Sequence, residues 1–93
     1  MRLACVSPLP PAPTGIADYT AELVALLAPA HEIDLFHAQE RVDLARLPGS
    51  VATHPASELL ARHRTRPYDA VVYQMGNGRD HAFAYDLLAR VPG

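Results

Sequence analysis

The segment Pro8–Gly15 holds four prolines and a glycine in eight residues, and no other feature limits the fold of this chain as strongly. Proline fixes φ and removes a backbone donor, so the stretch is a stiff loop rather than helix or strand. Before it stands a short apolar run, Leu3-Ala4-Cys5-Val6, suited to a strand buried on both faces. After it Ile16, Tyr19, Leu23, Leu26, Leu27 and Ala30 recur at three- and four-residue spacing. That period predicts an amphipathic helix with these residues inward, closed by Pro29. Asp18 and Glu22 stand towards its N-terminus, where the helix dipole favours negative charge.

The alternation continues. His31–His37 reads as a second strand with Ile33 and Leu35 on one face. The region 38–53 offers a helical turn around Asp43–Leu47, then Pro48-Gly49 and a short strand Val51–Thr53. Pro55 and Ser57 open a helix to about Thr65, with Leu59 and Leu60 inward and Arg62, His63 and Arg64 outward. Tyr68–Met75 is the best strand in the chain, and Gly76-Asn77-Gly78 breaks it. A last helix is expected from about Asp80 to Val91, with Phe83, Leu87, Leu88 and Val91 inward. This order predicts an α/β fold: a single, partial Rossmann-like lobe over residues 1–93, with a mostly parallel sheet of about four strands and flanking helices. The expected strand order is 3-2-1-4.

Composition narrows the class. Apolar residues make up 49% and charged residues 19%, which excludes a disordered tail, a coiled coil and a disulfide scaffold. A net charge of −2 gives no basic face, so no nucleic-acid partner is expected. The one cysteine, Cys5, implies no oxidising compartment. No apolar run approaches the roughly 20 residues of a spanning helix. Prolines stand where the hydrophobic core of a leader would run, so the expectation is a cytoplasmic protein.

In such a sheet, ligands bind beyond the carboxyl ends of the first and fourth strands, where the chain reverses direction. Two loops wall that crevice, Pro8–Gly15 and Gly76–His81. Gly15 precedes a helix N-terminus whose free N–H groups suit an anion; the competing reading is a turn that needs positive φ. Asp18 is a candidate for a sugar hydroxyl, against a plain dipole-stabilising carboxylate. Gly76 and Asn77 allow close backbone approach to a ligand, or simply turn the chain. His81, in the first turn of the last helix, faces Gly15 across the expected crevice. The segment Gly76-x-Gly78-x-x-His81 only partly matches a dinucleotide fingerprint, because His stands where a small residue is needed. No metal-ligand spacing, cofactor motif or complete catalytic set is present, and Cys5 reads as an inert core thiol.

Three stretches carry a resemblance: Pro10-Pro11-x-Pro13-x-Gly15-Ile16-Ala17-Asp18-Tyr19 with its leucine-rich helix, His31-Glu32-Ile33-Asp34-Leu35-Phe36, and Tyr68–Asn77 continuing to His81-x-Phe83-x-Tyr85. Together they resemble the N-terminal, acceptor-side lobe of the retaining GT-B-fold glycosyltransferases of family 4 (group 1). The resemblance implies sugar transfer from a nucleotide-sugar donor to a glycan or lipid-linked acceptor, without a metal and with peripheral membrane contact. It implies that Gly15 approaches the donor diphosphate or the acceptor through its backbone, and it makes His81 the candidate contact to the donor sugar. In that family a basic pair and a glutamate motif of the C-terminal lobe stabilise the departing phosphates. The chain is therefore expected to be an N-terminal fragment, inactive alone and prone to self-association along its exposed strand edge. Two other readings stay open: a stand-alone Rossmann-like nucleotide-binding module, and a protein-interaction domain without a ligand.

Overall fold

The computed structural model describes residues 1–74, 88 and 90–92. Strands β1 (Arg2–Val6), β2 (Glu32–His37), β3 (Ala52–Pro55) and β4 (Ala70–Tyr73) form one sheet in the order β3-β2-β1-β4. Every pairing is parallel, with Val6 opposite Phe36 on one side and Tyr73 on the other. This is the α/β architecture and strand order that the alternation predicts. Helix α1 (Gly15–Leu27) connects β1 to β2, and α2 (Leu59–Thr65), preceded by a 3₁₀ turn at Ala56–Glu58, connects β3 to β4. The expected turn near Asp43–Leu47 is a 3₁₀ segment, Leu44–Arg46.

Strand side chains alternate, so the sheet has two apolar layers. On one face Cys5, Ile33 and Leu35 meet Val24 of α1 and Leu9 of the loop. Ile33 and Leu35 thus share a face, as expected. On the other, Ala4, Val6, Phe36 and Val71 meet Leu59, Tyr68 and Val91. Val91 is buried against this layer, and Leu88 and Arg90 are helical, in keeping with a helix that ends near residue 91. The rest of the expected last helix, with Phe83 and Leu87, lies outside the described residues.

Three expectations need correction. The buried face of α1 is Ala17, Thr20, Ala21 and Val24, not the larger apolar stripe. Tyr19 and Leu26 are 56% and 79% exposed, and only Leu27 of the expected stripe packs against the core cluster. The rotation brings Thr20 Oγ1 within 2.8 Å of Ser7 Oγ, which itself donates to the Pro8 carbonyl at 2.6 Å, so the buried Thr20 hydroxyl finds its partner in the loop. Tyr68 precedes β4 instead of opening it, and its ring packs edge-on against Phe36. His63 does not point into solvent: it stacks on Tyr68 at 5.9 Å, and its Nδ1 accepts the Tyr68 N–H at 3.1 Å.

Candidate functional site

The loop between β1 and α1 is built as part of the core. Ser7, Pro8, Leu9 and Pro10 are all fully buried. The Pro10–Pro11 peptide is cis. Proline supplies no N–H, so few backbone groups need partners; the Ala12 N–H is met locally by the Leu9 carbonyl at 2.9 Å, and others are met from a distance. The Leu9 N–H donates to Gln39 Oε1 at 2.7 Å, and Gln39 Nε2 donates back to the Leu9 carbonyl at 2.8 Å. The Asp43 N–H donates to the Pro10 carbonyl at 2.8 Å. The segment that follows β2 therefore clamps the loop that follows β1. A buried loop with satisfied backbone groups holds its shape without a ligand.

Thr14 then starts α1. Its backbone is extended, and its hydroxyl accepts the Ile16 N–H at 3.0 Å, an N-cap that satisfies one of the orphan donors. The Ala17 N–H is held by the Thr14 carbonyl at 3.1 Å. The free donors expected at this terminus thus reduce, in its first turn, to the Gly15 N–H, which has no partner among the described residues. Gly15 is not in the left-handed region, so the positive-φ explanation of this glycine is wrong. A Cβ built on it meets nothing within 4 Å. Neither backbone conformation nor packing demands a glycine here, and the space beside its Cα is open.

Asp18 is committed elsewhere. Its carboxylate accepts from Arg46 Nη2 at 2.6 Å, an ion pair with side chains 58% and 48% exposed. An exposed pair of this kind is worth about 0–1 kcal/mol, so it opens readily. Next to the loop, a cavity of about 360 Å³ is lined by Pro11, Arg41, Val42, Asp43 and Leu44. The other wall of the expected crevice, with Gly76, Asn77 and His81, lies outside the described residues. Among the described residues no group of histidine, cysteine, aspartate and glutamate side chains could hold a metal. None of the described helices is long and apolar enough to cross a membrane.

His37 ends β2 beside this loop and is 9% exposed. Burial lowers its pKa from the ordinary 6.5, and its Nδ1 accepts the Gln39 N–H at 3.0 Å. The neutral ring is therefore the form that fits. Burial also pushes the Cys5 thiol up to about 12, which makes it an inert core group as its mid-strand position suggests.

Thr14, Gln39 and His37 support the site but were not among the expected site residues. Thr14 was legible, since a threonine just before an apolar period is a cap signature. Gln39 was not, because the loop it clamps lies thirty residues away. Comparison with protein-family models, with curated proteins and with solved structures found no match.

Proposed function

We propose that this chain is the acceptor-side, N-terminal part of a retaining GT-B-fold glycosyltransferase, which moves a sugar from a nucleotide-sugar donor to a glycan or lipid-linked acceptor. The observation that carries the reading is Gly15. It stands at the carboxyl end of β1, beside the point where strand order reverses between β1 and β4. It offers an unpartnered N–H among the described residues and an open Cα face, at the end of a loop made rigid by burial. A backbone donor presented this way suits close approach of a diphosphate or a sugar. The three resembling stretches support the same assignment.

In this reading Gly15 contacts the donor diphosphate or the acceptor through its backbone. Asp18 receives a sugar hydroxyl once Arg46 swings away, and Gly76, Asn77 and His81, outside the described residues, are assigned to ligand contact by the sequence alone. Transfer itself requires a donor-binding lobe, because charge on the departing phosphates must be stabilised and the described residues at this end hold no cluster that does so.

The coding frame beyond codon 93 provides the first test. A second Rossmann lobe with a basic pair and a Glu-x7-Glu segment supports the proposal, and its absence overturns it. In the protein with both lobes, Gly15→Ala should lower kcat/KM at least about tenfold while leaving Tm unchanged. Unchanged kinetics would remove Gly15 from the site.

A further inference from the structure

The amino-terminal end of the sheet, opposite the crevice, gathers arginines around a cavity. This cavity has a volume of about 350 Å³ and is lined, among the described residues, by Arg2, Glu58, Ala61, Arg62, Thr65 and Arg66. Three guanidiniums line it together with the Glu58 carboxylate. Arg2 opens β1, Arg62 lies in the last turn of α2 and Arg66 caps its C-terminus, an end that favours cations.

Arg2 is the unusual member. Its side chain is 15% exposed and lies over the Tyr68 ring, 4.0 Å from the centroid. Its Nε and Nη1 are buried and have no hydrogen-bond partner among the described residues. The nearest carboxylate oxygen, Asp34 Oδ2, is 3.7 Å from Nη1 and already accepts the Tyr68 hydroxyl at 2.5 Å. The other Asp34 oxygen is 3.6 Å from His54 Nε2. One carboxylate shared among three groups leaves a buried guanidinium short of acceptors, an arrangement that costs free energy unless something else supplies them. Arg62 and Arg66 hold Glu58 and Glu32 at 3.0 and 3.2 Å in exposed ion pairs. Such pairs are weak enough to exchange for a better acceptor.

We propose that this cavity binds a small phosphorylated ligand, with Arg2 beneath the phosphate and Arg62 and Arg66 closing on its oxygens. The guanidinium fork matches phosphate oxygens two at a time, which a point charge does not. The volume is at the lower end of the roughly 300–1,000 Å³ range of small-molecule sites, so a phosphate and a small organic part fit. The proposal does not depend on the glycosyltransferase reading, since the residues lie at the other end of the strands.

The test is a titration of the isotope-labelled chain with inorganic phosphate and, separately, glucose 6-phosphate, read at the arginine Nε–H signals by NMR. Saturable shifts at Arg2, Arg62 and Arg66 are expected, with binding weakened about tenfold or more in Arg62→Gln and in Arg66→Gln. Both side chains are exposed, so these variants keep the fold. Equal affinity for the two probes assigns the site to free phosphate, and tighter binding of the ester assigns the remaining volume to its organic part. No saturable shift with either probe overturns the proposal. So does binding that survives in the double variant, shifts confined to Gly15 and its neighbours, or equal binding of unphosphorylated glucose.

Discussion

At its carboxyl end β1 runs into a loop whose anchors are uncharged: buried prolines, the Ser7–Thr20 hydroxyl pair and the Gln39 amide on both polar groups of Leu9. At its amino end the same strand begins with Arg2, held by one shared carboxylate and an aromatic face. Among the described residues the first end is anchored by neutral groups, and the Gly15 N–H after the loop lacks a partner. At the second, the buried Nε and Nη1 of Arg2 have no hydrogen-bond partner among the described residues. The contrast teaches where a ligand would change the protein: at the loop it would meet a preformed shape, whereas at the arginines it would supply missing partners.

Four measurements would break or sharpen this contrast. The largest effect is expected for Asp34→Ala, which strips Arg2 and the Tyr68 hydroxyl of their common partner. Removing one side of a buried charge pair costs about 3–5 kcal/mol, so the urea midpoint should fall steeply. A loss under about 1 kcal/mol would mean that the amino end is not held by charge. Gln39→Ala comes next. It leaves the Leu9 N–H without its partner in a buried loop, and a loss of about 1–3 kcal/mol is expected in the same titration. No change would show that burial of the prolines alone holds the loop.

The third measurement is pH. His37 has a lowered pKa in the folded chain, so the unfolded chain binds more protons below the ordinary value of 6.5. Its stabilising contribution is full above that value and is lost as pH falls. Tm should drop on acidification from pH 7.5 towards 5, and His37→Gln should flatten that slope; parallel slopes in the two proteins would exclude His37 as the cause. The smallest effect is Gly15→Ala. Its Cβ meets nothing within 4 Å and φ is not left-handed, so the change in stability should stay within about 0.5 kcal/mol. A larger loss would show that the glycine serves the fold, and the site would lose its central residue.

Much of the fold was legible because its signals are local. Prolines at 8, 10, 11 and 13 exclude regular structure whatever surrounds them, and apolar runs, one closed by Ser7-Pro8 and one opened after Pro67, announce buried strands. The alternation of strands and helices then leaves few topologies, and the order β3-β2-β1-β4 is one of them. The candidate site was legible only in part. The position of Gly15 at the carboxyl end of β1 follows from that topology. Its unoccupied Cα face and the commitment of Asp18 to Arg46 do not, because Arg46 is twenty-eight residues distant and no pattern pairs them.

The sequence by itself therefore determined the elements, their order and the stiffness of the first loop, since turn chemistry and periodicity act over a few residues. Tertiary structure decided which face of α1 is inside. Period alone favours the larger stripe of Ile16, Tyr19, Leu23 and Leu26, yet the helix buries Ala17, Thr20, Ala21 and Val24. Hydrophobic area has no direction of its own, whereas in this rotation the small residues Ala17 and Ala21 lie inward and the buried Thr20 hydroxyl meets Ser7 Oγ, which also donates to the Pro8 carbonyl. The sharing of Asp34 among Arg2, His54 and Tyr68 was decided in the same way, by strand register bringing distant residues to one end of the sheet.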